Sequence, residues 1–105
     1  MITEIFYLGH DNTIDLLLKA DGEAVDLSPV TRIDLEIKNV VTISSTSYPD
    51  VIRWTGLDVT GKVIISLDDY DGELPVGKYR ARLVVYDPTN TDGIVWGDLL
   101  IQIRS

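Results

Sequence analysis

The sequence predicts an all-β protein, an antiparallel sandwich of seven to eight strands, on three observations. Apolar and polar residues alternate with a period of two in several segments, which is typical of strands with one buried face. Turn-forming residues, mainly Gly and Pro next to Asp, Ser or Thr, separate these segments at short intervals. No stretch of about 10 to 12 residues has the period of an amphipathic helix. Strands joined by turns therefore account for the whole chain.

The first six predicted strands follow from this alternation. In residues 30–38 the apolar Ile33, Leu35 and Ile37 alternate with charged residues, so one face is buried and the other is exposed. Segments 13–19 and 62–67 have the same pattern, and segments 2–8, 40–44 and 51–54 are shorter apolar runs between turns. Residues 40–49 are rich in Ser and Thr and fit either a strand or a loop.

Two longer strands are predicted at residues 78–87 and 94–104, joined by a loop as a hairpin. On the first of them the side chains predicted to face the core are Tyr79, Ala81, Leu83 and Val85. On the second they are Val95, Leu99, Ile101 and Ile103. Gly97 interrupts this second pattern, and a glycine inside a strand often marks a bulge.

Eight strands in 105 residues are best accommodated by two packed sheets, because one open sheet leaves a face and two edges uncovered. An immunoglobulin-like sandwich is the first choice, and a small barrel is the alternative. Tyr79 follows a loop and enters a long strand, so we expect it to be a corner tyrosine whose hydroxyl bonds to upstream backbone. We expect residues 1–105 to form a single domain.

Charge and composition exclude several functions. The chain has 17 acidic and 9 basic residues, a net charge of -8 and no cysteine. Binding to nucleic acid normally requires clustered Lys and Arg, so nucleic acid is not expected as a partner. A disulfide and a zinc ribbon are excluded. No apolar run approaches the ~20 residues of a membrane span, and the N-terminus lacks the basic start of a signal peptide, so no membrane partner is expected.

No residue is predicted to be catalytic, to bind a metal or to bind a cofactor. The acidic residues Asp68, Asp69, Asp71 and Glu73 suit Ca²⁺ by type, but their spacing does not fit an EF-hand loop, so a solvated turn is expected. His10 lacks an identifiable nucleophile or second ligand and is expected to be a turn residue. The protein is therefore not expected to be an enzyme. A paired-carboxylate hydrolase stays open, because the separation of two acids is a three-dimensional quantity.

Aromatic and apolar residues are the candidates for recognition. If the core face is as predicted, Val84, Tyr86, Ile94 and Trp96 form an exposed apolar patch that would serve as a protein interface. The alternative is that a shift of register or a covering strand buries this patch. A carbohydrate-binding module is the alternative function, with Trp54, Trp96 or Tyr48 stacking on sugar rings.

The order of short motifs also resembles a known family. The motifs are GHDNTIDL at residues 9–16, ADGEAVDLS at 20–28, IDLEIK at 33–38, TGKV at 60–63 and LPVGKYRARLVVYD at 74–87. They are similar to the immunoglobulin-like β-sandwich modules of tailed-bacteriophage virions, most closely the N-terminal domain of siphophage baseplate upper proteins and fibre or tail accessory modules.

The resemblance implies a non-enzymatic structural role in the virion, assembled in the host cytoplasm. It implies other virion proteins as partners, and a homo-oligomer or symmetric assembly. In that family a linker, helix or receptor-binding part usually follows the sandwich, whereas this chain ends inside the last strand pattern. Either the protein is a free-standing small virion protein, such as a head-decoration or tail accessory subunit, or the longer architecture of that family does not apply to it. The family carries no catalytic residues to transfer.

Overall fold

Ten β-strands and one turn of 3₁₀ helix, Leu67–Asp69, form the described part of the chain in a computed structural model. The structure describes residues 2–10, 13–54, 61–72 and 74–105. The strands are β1 (Ile2–Tyr7), β2 (Thr13–Leu17), β3 (Lys19–Ala20), β4 (Glu23–Ala24), β5 (Arg32–Ile37), β6 (Val41–Ser44), β7 (Ile52–Arg53), β8 (Lys62–Ser66), β9 (Gly77–Tyr86) and β10 (Ile94–Arg104). All eight predicted strands are present. The short ribbon of β3 and β4, around the turn at Asp21 and Gly22, was not predicted.

The strands form two main sheets that pack face to face. The larger sheet has five strands in the order β1-β10-β9-β5-β6, and the smaller has three in the order β2-β8-β7. No ladder joins the two sheets within the described residues, so the architecture is a sandwich and the predicted all-β class is confirmed. Among these described elements no helix is long and apolar enough to cross a membrane.

The first strand pairs in an unexpected direction. β1 runs parallel to β10, with Ile2 opposite Leu99 and Tyr7 opposite Arg104, whereas every other described pair is antiparallel. Parallel and antiparallel strands with one buried face have the same alternation, so the sequence pattern does not distinguish them. The last strand is therefore covered on both sides, by β1 and by β9.

The core lies between the two sheets and consists of the predicted alternating residues. On β5 the side chains of Ile33, Leu35 and Ile37 are buried, and on β8 those of Val63 and Ile65 are buried. The largest fully buried side chains are Leu27, Ile33, Leu35, Ile43, Ile52, Ile65, Ile101, Ile103, Val51 and Val63. Burial of these apolar groups is the main favourable contribution to folding.

A β-bulge at Trp96 changes the face on which the start of β10 lies. The register shifts between Val95, opposite Val84, and Gly97, opposite Leu83. The extra residue turns Val95 to the outer face, where 53% of it is exposed, so its predicted place in the core is wrong. The predicted irregularity at Gly97 is confirmed.

Tyr79 occupies the corner position that the sequence predicts. β9 begins at Gly77, and two residues later the Tyr79 hydroxyl donates a hydrogen bond to the carbonyl oxygen of Val76 at 3.4 Å. The contact is exposed, and it is weak because it is longer than the usual O–H···O distance of about 2.5 to 3.0 Å. The bond back to upstream backbone is thus present, and it closes the turn that leads into the longest hairpin.

Candidate interaction surfaces

The predicted apolar patch is divided between two parts of the molecule. Val84 is only 4% exposed, so its predicted exposure is wrong. Tyr86 is half-buried on the outer face of the five-stranded sheet, and Ile94 is 37% exposed at the start of β10. Trp96, at the bulge, is half-buried and packs against the core instead of lying beside Tyr86. The four residues therefore do not form one continuous surface.

Val84 is buried because its neighbours on the outer face cover it. It lies opposite Asp34 on β5 and opposite Val95 on β10. Gly93, in the hairpin loop, lies close to Val84: a Cβ added at Gly93 would lie 2.6 Å from Val84 Cγ1 and 2.7 Å from Tyr86 Cε1. Val95, which the sequence pattern assigned to the core, is an exposed apolar residue on the outer face at this end of the sheet.

Arg32 links Tyr86 to a buried carboxylate. Its guanidinium carbon lies 3.8 Å from the centroid of the Tyr86 ring, which is a cation–π contact. Its Nε lies 3.3 Å from Oδ1 of Asp34, whose residue is only 7% exposed. Neither atom has a partner in hydrogen-bond geometry, so the contact is an ion pair by distance alone. The positive charge of Arg32 thus compensates the carboxylate of Asp34, which is largely buried from water on the outer face.

A row of basic residues crosses the same outer face. Lys78, Arg80 and Arg82 occupy alternate positions of β9, and they lie opposite Gln102, Leu100 and Asp98 of β10. Six of the nine basic residues lie on or border this face: Arg32, Lys38, Lys78, Arg80, Arg82 and Arg104. Among the residues that the structure describes, the face has three acidic residues, Asp34, Glu36 and Asp98. We call these nine residues the basic face.

The basic face retains unpaired positive charge. Arg82 lies 3.9 Å from Asp98, but Lys38, Lys78 and Arg80 form no ion pair within the described residues. Arg80 separates two shallow depressions of about 250 and 240 Å³. The period-two pattern that makes β9 a strand also brings these charges to one side. The alternation in the sequence predicts a solvent-facing side of this strand but does not by itself indicate a binding surface.

A larger groove lies at the side of the sandwich, between the edges of the two sheets. Its volume is about 460 Å³, and β2, β10 and Glu4 of β1 line it. Its apolar surface includes Leu16, Leu17, Leu83, Trp96 and Leu99, and its charged groups are Glu4, Asp15, Asp98 and Lys19. We call it the edge groove. Trp96 lies here because the bulge directs it away from the outer face.

The other aromatic candidates lie elsewhere. Trp54 is half-buried and lines a separate depression of about 300 Å³ with Thr31, Ser45, Thr46 and Pro49. Tyr48 packs edge-on against Tyr70, with ring centroids 5.0 Å apart. A hydrogen bond from the Tyr48 hydroxyl to Asp71 raises the pKa of that hydroxyl. The three predicted sugar-stacking residues, Trp54, Trp96 and Tyr48, are thus not on one platform.

The acidic segment and His10 are exposed. Asp68 and Asp69 lie in the 3₁₀ turn and Asp71 follows it, while Glu73 lies outside the described residues. His10 lies in the turn after β1, and its backbone N–H donates to the carbonyl of Tyr7 at 3.3 Å. In the described ranges no group of three His, Cys, Asp or Glu side chains is arranged to hold a metal ion.

Comparison with known proteins gives no relative: no protein-family model matches the chain, and no curated protein matches it.

Proposed function

We propose that this protein is a non-enzymatic structural component of a tailed-bacteriophage virion, working through protein–protein contacts on the outer face of its five-stranded sheet. The observation that carries the proposal is the exposed Val95 on the same face as the stacked pair of Arg32 and Tyr86. Tyr and Arg are enriched among the residues that dominate binding energy, and an adjoining apolar side chain adds area that contact removes from water.

The strand order supports the immunoglobulin-like interpretation on which the resemblance rests. The order β2-β8-β7 corresponds to strands B, E and D of an immunoglobulin domain, and β10-β9-β5-β6 corresponds to G, F, C and C′. The corner hydrogen bond of Tyr79 is a second feature of that fold. β1 departs from the constant-type domain, because it pairs with β10 and not with β2.

Charge complementarity defines the kind of partner. The basic face is positive although the net charge of the chain is -8, so this face attracts an acidic surface of a partner protein. The partner is another virion protein, or a further copy of this chain in a symmetric assembly whose acidic loops meet the basic face. The proposed location of these contacts is the head, tail or fibre of the particle.

The experiment uses particles of the source phage, with an antibody against this chain and electron microscopy. Labelling of intact particles at one repeated position is expected. Val95→Asp places a charge in the proposed contact, and Val76→Asp is the matched control, because Val76 is similarly exposed, at 59%, in the turn before β9. Val95→Asp is expected to reduce incorporation at least about tenfold, while Val76→Asp is incorporated normally. Unlabelled particles, or equal incorporation of both variants, would overturn the proposal.

A carbohydrate-binding module is the second candidate function, and the edge groove is the observation that favours it. Trp96 supplies an apolar ring there, and Glu4, Asp15 and Asp98 supply acceptors for sugar hydroxyl groups. Electrophoresis in gels that contain soluble polysaccharides tests this function. Polysaccharide that slows the migration of the parent and of Trp54→Ala, but not of Trp96→Ala, would support this function. Migration that is unaffected by a broad set of polysaccharides would exclude it.

A further inference from the structure

Strand β2 has an unpaired edge. It pairs with β8 on one side and with no other described strand on the other. The Leu18 N–H donates to the Gly61 carbonyl at 2.7 Å, so the N–H of Leu18 points toward the side on which β8 lies. Backbone groups alternate in direction along an antiparallel strand, so those of Leu16 and Ile14 also point to β8. The N–H and C=O groups of Thr13, Asp15 and Leu17 therefore point to the open edge.

The opposite side of β8 gives the same assignment. The Ser66 N–H donates to the Val51 carbonyl at 2.7 Å, so Ser66 points to the β7 side. Ile65, the next residue along the strand, must then point to β2, where it lies opposite Ile14. The two sets of hydrogen bonds agree on which residues of β2 are used. Three donors and three acceptors thus have no partner strand among the described residues, along an edge of about 17 Å.

The edge groove lies directly beside these open backbone groups. Leu16 and Leu17 of β2 form one wall, and Trp96 and Leu99 of β10 lie across from them. A Cβ added at Gly97 would meet nothing within 4 Å, so the bulge leaves space at this point. Leu17 is 59% exposed. A strand added at this edge would direct every second side chain into the groove, against an apolar surface.

The other edges of the sandwich are less suited to accept a strand. β6 has four residues and β7 has two. On β1 the inner face carries Glu4, opposite Ile101, and an inward-pointing charge is a common device against edge pairing. Only β2 combines five residues, an open ladder and an adjoining apolar groove among the edges described.

We propose that β2 accepts an extended segment of a partner polypeptide as an added strand, with apolar side chains at alternate positions and a Lys or Arg beside Glu4. Main-chain hydrogen bonds to Thr13, Asp15 and Leu17 provide affinity, and the groove selects the alternate side chains. Charge complementarity specifies the cation at Glu4, because the other two carboxylates of the groove already have counter-charges: Asp15 Oδ2 lies 3.3 Å from Lys62 Nζ, and Asp98 Oδ1 lies 3.9 Å from Arg82 Nε. Glu4 itself forms no ion pair within the described residues. This surface shares only Asp98 with the basic face, and the proposal does not depend on a virion location.

The first test is amide hydrogen exchange of the whole protein, followed by NMR, with a blocked peptide Lys-Thr-Val-Thr-Val-Thr-Lys as the probe. Saturating peptide is expected to slow exchange at Thr13, Asp15 and Leu17 by at least about tenfold. The amides of Ile14 and Leu16 are already bonded to β8 and are expected to change little. A peptide with Glu in place of both Lys residues is the matched control and is expected to bind at least about tenfold more weakly. Unchanged exchange at the three edge amides would overturn the proposal.

The second test uses variants that change only the open edge. Leu17→Pro removes one outward N–H without removing a β2–β8 hydrogen bond, and proline is tolerated on edge strands. Leu17→Ala removes the same side chain and keeps the N–H. Leu17→Pro is expected to abolish peptide binding, while Leu17→Ala weakens it less than about tenfold. Glu4→Gln is expected to remove the preference for the Lys peptide, and it leaves the ladder intact should the proline variant fail to fold. Equal affinity of the proline and alanine variants, or an unchanged preference in Glu4→Gln, would contradict the proposal.

Two other occupants of the edge give distinguishable results. If a second copy pairs here, the three edge amides are protected in concentrated protein without peptide and lose that protection on dilution. If the groove binds a glycan, oligosaccharide shifts the Trp96 indole signal and leaves exchange at the edge amides unchanged. Either result in place of peptide-dependent protection would overturn the proposal.

Discussion

The guanidinium carbon of Arg32 lies 3.8 Å from the centroid of the Tyr86 ring, on adjacent strands of the five-stranded sheet. The two residues are direct partners in the β5–β9 register, and Asp34 is the next outward residue on β5. The stacked arginine also lies 3.3 Å from the buried carboxylate of Asp34, and Gly93 lies close to the Tyr86 ring. Packing and charge together therefore fix the side chains at this end of the outer face.

Arg32→Ala is expected to lower the free energy of unfolding by about 1 to 3 kcal/mol. The substitution leaves the Asp34 carboxylate buried without its cation and removes the stacking on Tyr86. The loss stays below that of a fully buried pair because the Arg32 side chain is 39% exposed. Urea denaturation measures it, with the exposed Arg80→Ala as a control expected within about 0.5 kcal/mol of the parent. The double variant Arg32→Ala/Asp34→Ala is expected to be more stable than Arg32→Ala alone, and the reverse order would contradict the explanation.

Gly93→Ala is expected to destabilise the protein by about 2 to 4 kcal/mol. Gly93 has φ +84, and its added Cβ would also meet Val84 and Tyr86 at less than 3 Å. Gly22→Ala separates the two causes, because Gly22 has φ +81 but nothing within 4 Å of an added Cβ. That control is expected to cost only about 1 kcal/mol. Thermal and urea unfolding of both variants measure the difference, and equal losses would show that the contact with Val84 contributes nothing.

The strands could be predicted from the sequence because each has its own period-two pattern, as in Ile33, Leu35 and Ile37. The faces of the residues at the start of β10 could not be predicted, because one extra residue at Trp96 reverses the face of Ile94 and Val95. Local alternation at Val95 gives no sign of the reversal. Gly97 was the one available signal, and it located the bulge without giving its direction.

The surfaces were less predictable than the strands for the same physical reason. Val84 lies on the outer face, as the alternation indicates, but its burial depends on Gly93 and Asp34, which are distant in sequence or on another strand. The open edge of β2 depends on β1 pairing with β10. No local pattern contains that choice, because it is made between strands at opposite ends of the chain.

Acid is expected to destabilise the protein partly through Asp87. The backbone N–H of Asn90 donates to Asp87 Oδ1 at 2.7 Å, the Asn90 side chain adds further bonds, and Thr89 N–H donates at 2.9 Å; these bonds lower the Asp87 pKa below its ordinary value of 3.8. A lowered pKa in the folded state gives stabilisation that is present above the ordinary pKa and lost as the pH falls through the folded value. Asp26 has a pKa lowered in the same way by Ser28 N–H.

The measurement is urea denaturation of the parent and Asp87→Asn between pH 7 and about pH 2.5, a range that spans the ordinary pKa of a carboxyl group. The parent is expected to be the more stable at pH 7, and the difference is expected to narrow as acid protonates Asp87. A difference for Asp87→Asn that does not depend on pH would contradict the assignment.

The basic face is expected to bind an anionic resin although the net charge is -8. Opposite charges on different faces do not cancel at a surface, because salt screens them over a Debye length of about 10 Å at 0.1 M. Retention on a sulfonate column is therefore expected at about 0.1 M salt, and elution by about 1 M, where the Debye length falls to about 3 Å. Lys78→Glu/Arg80→Glu is expected to pass through unretained. Lys19→Glu/Lys62→Glu makes the same change in net charge away from the face and is expected to remain bound. If both double variants lose retention equally, net charge and not the basic face controls binding.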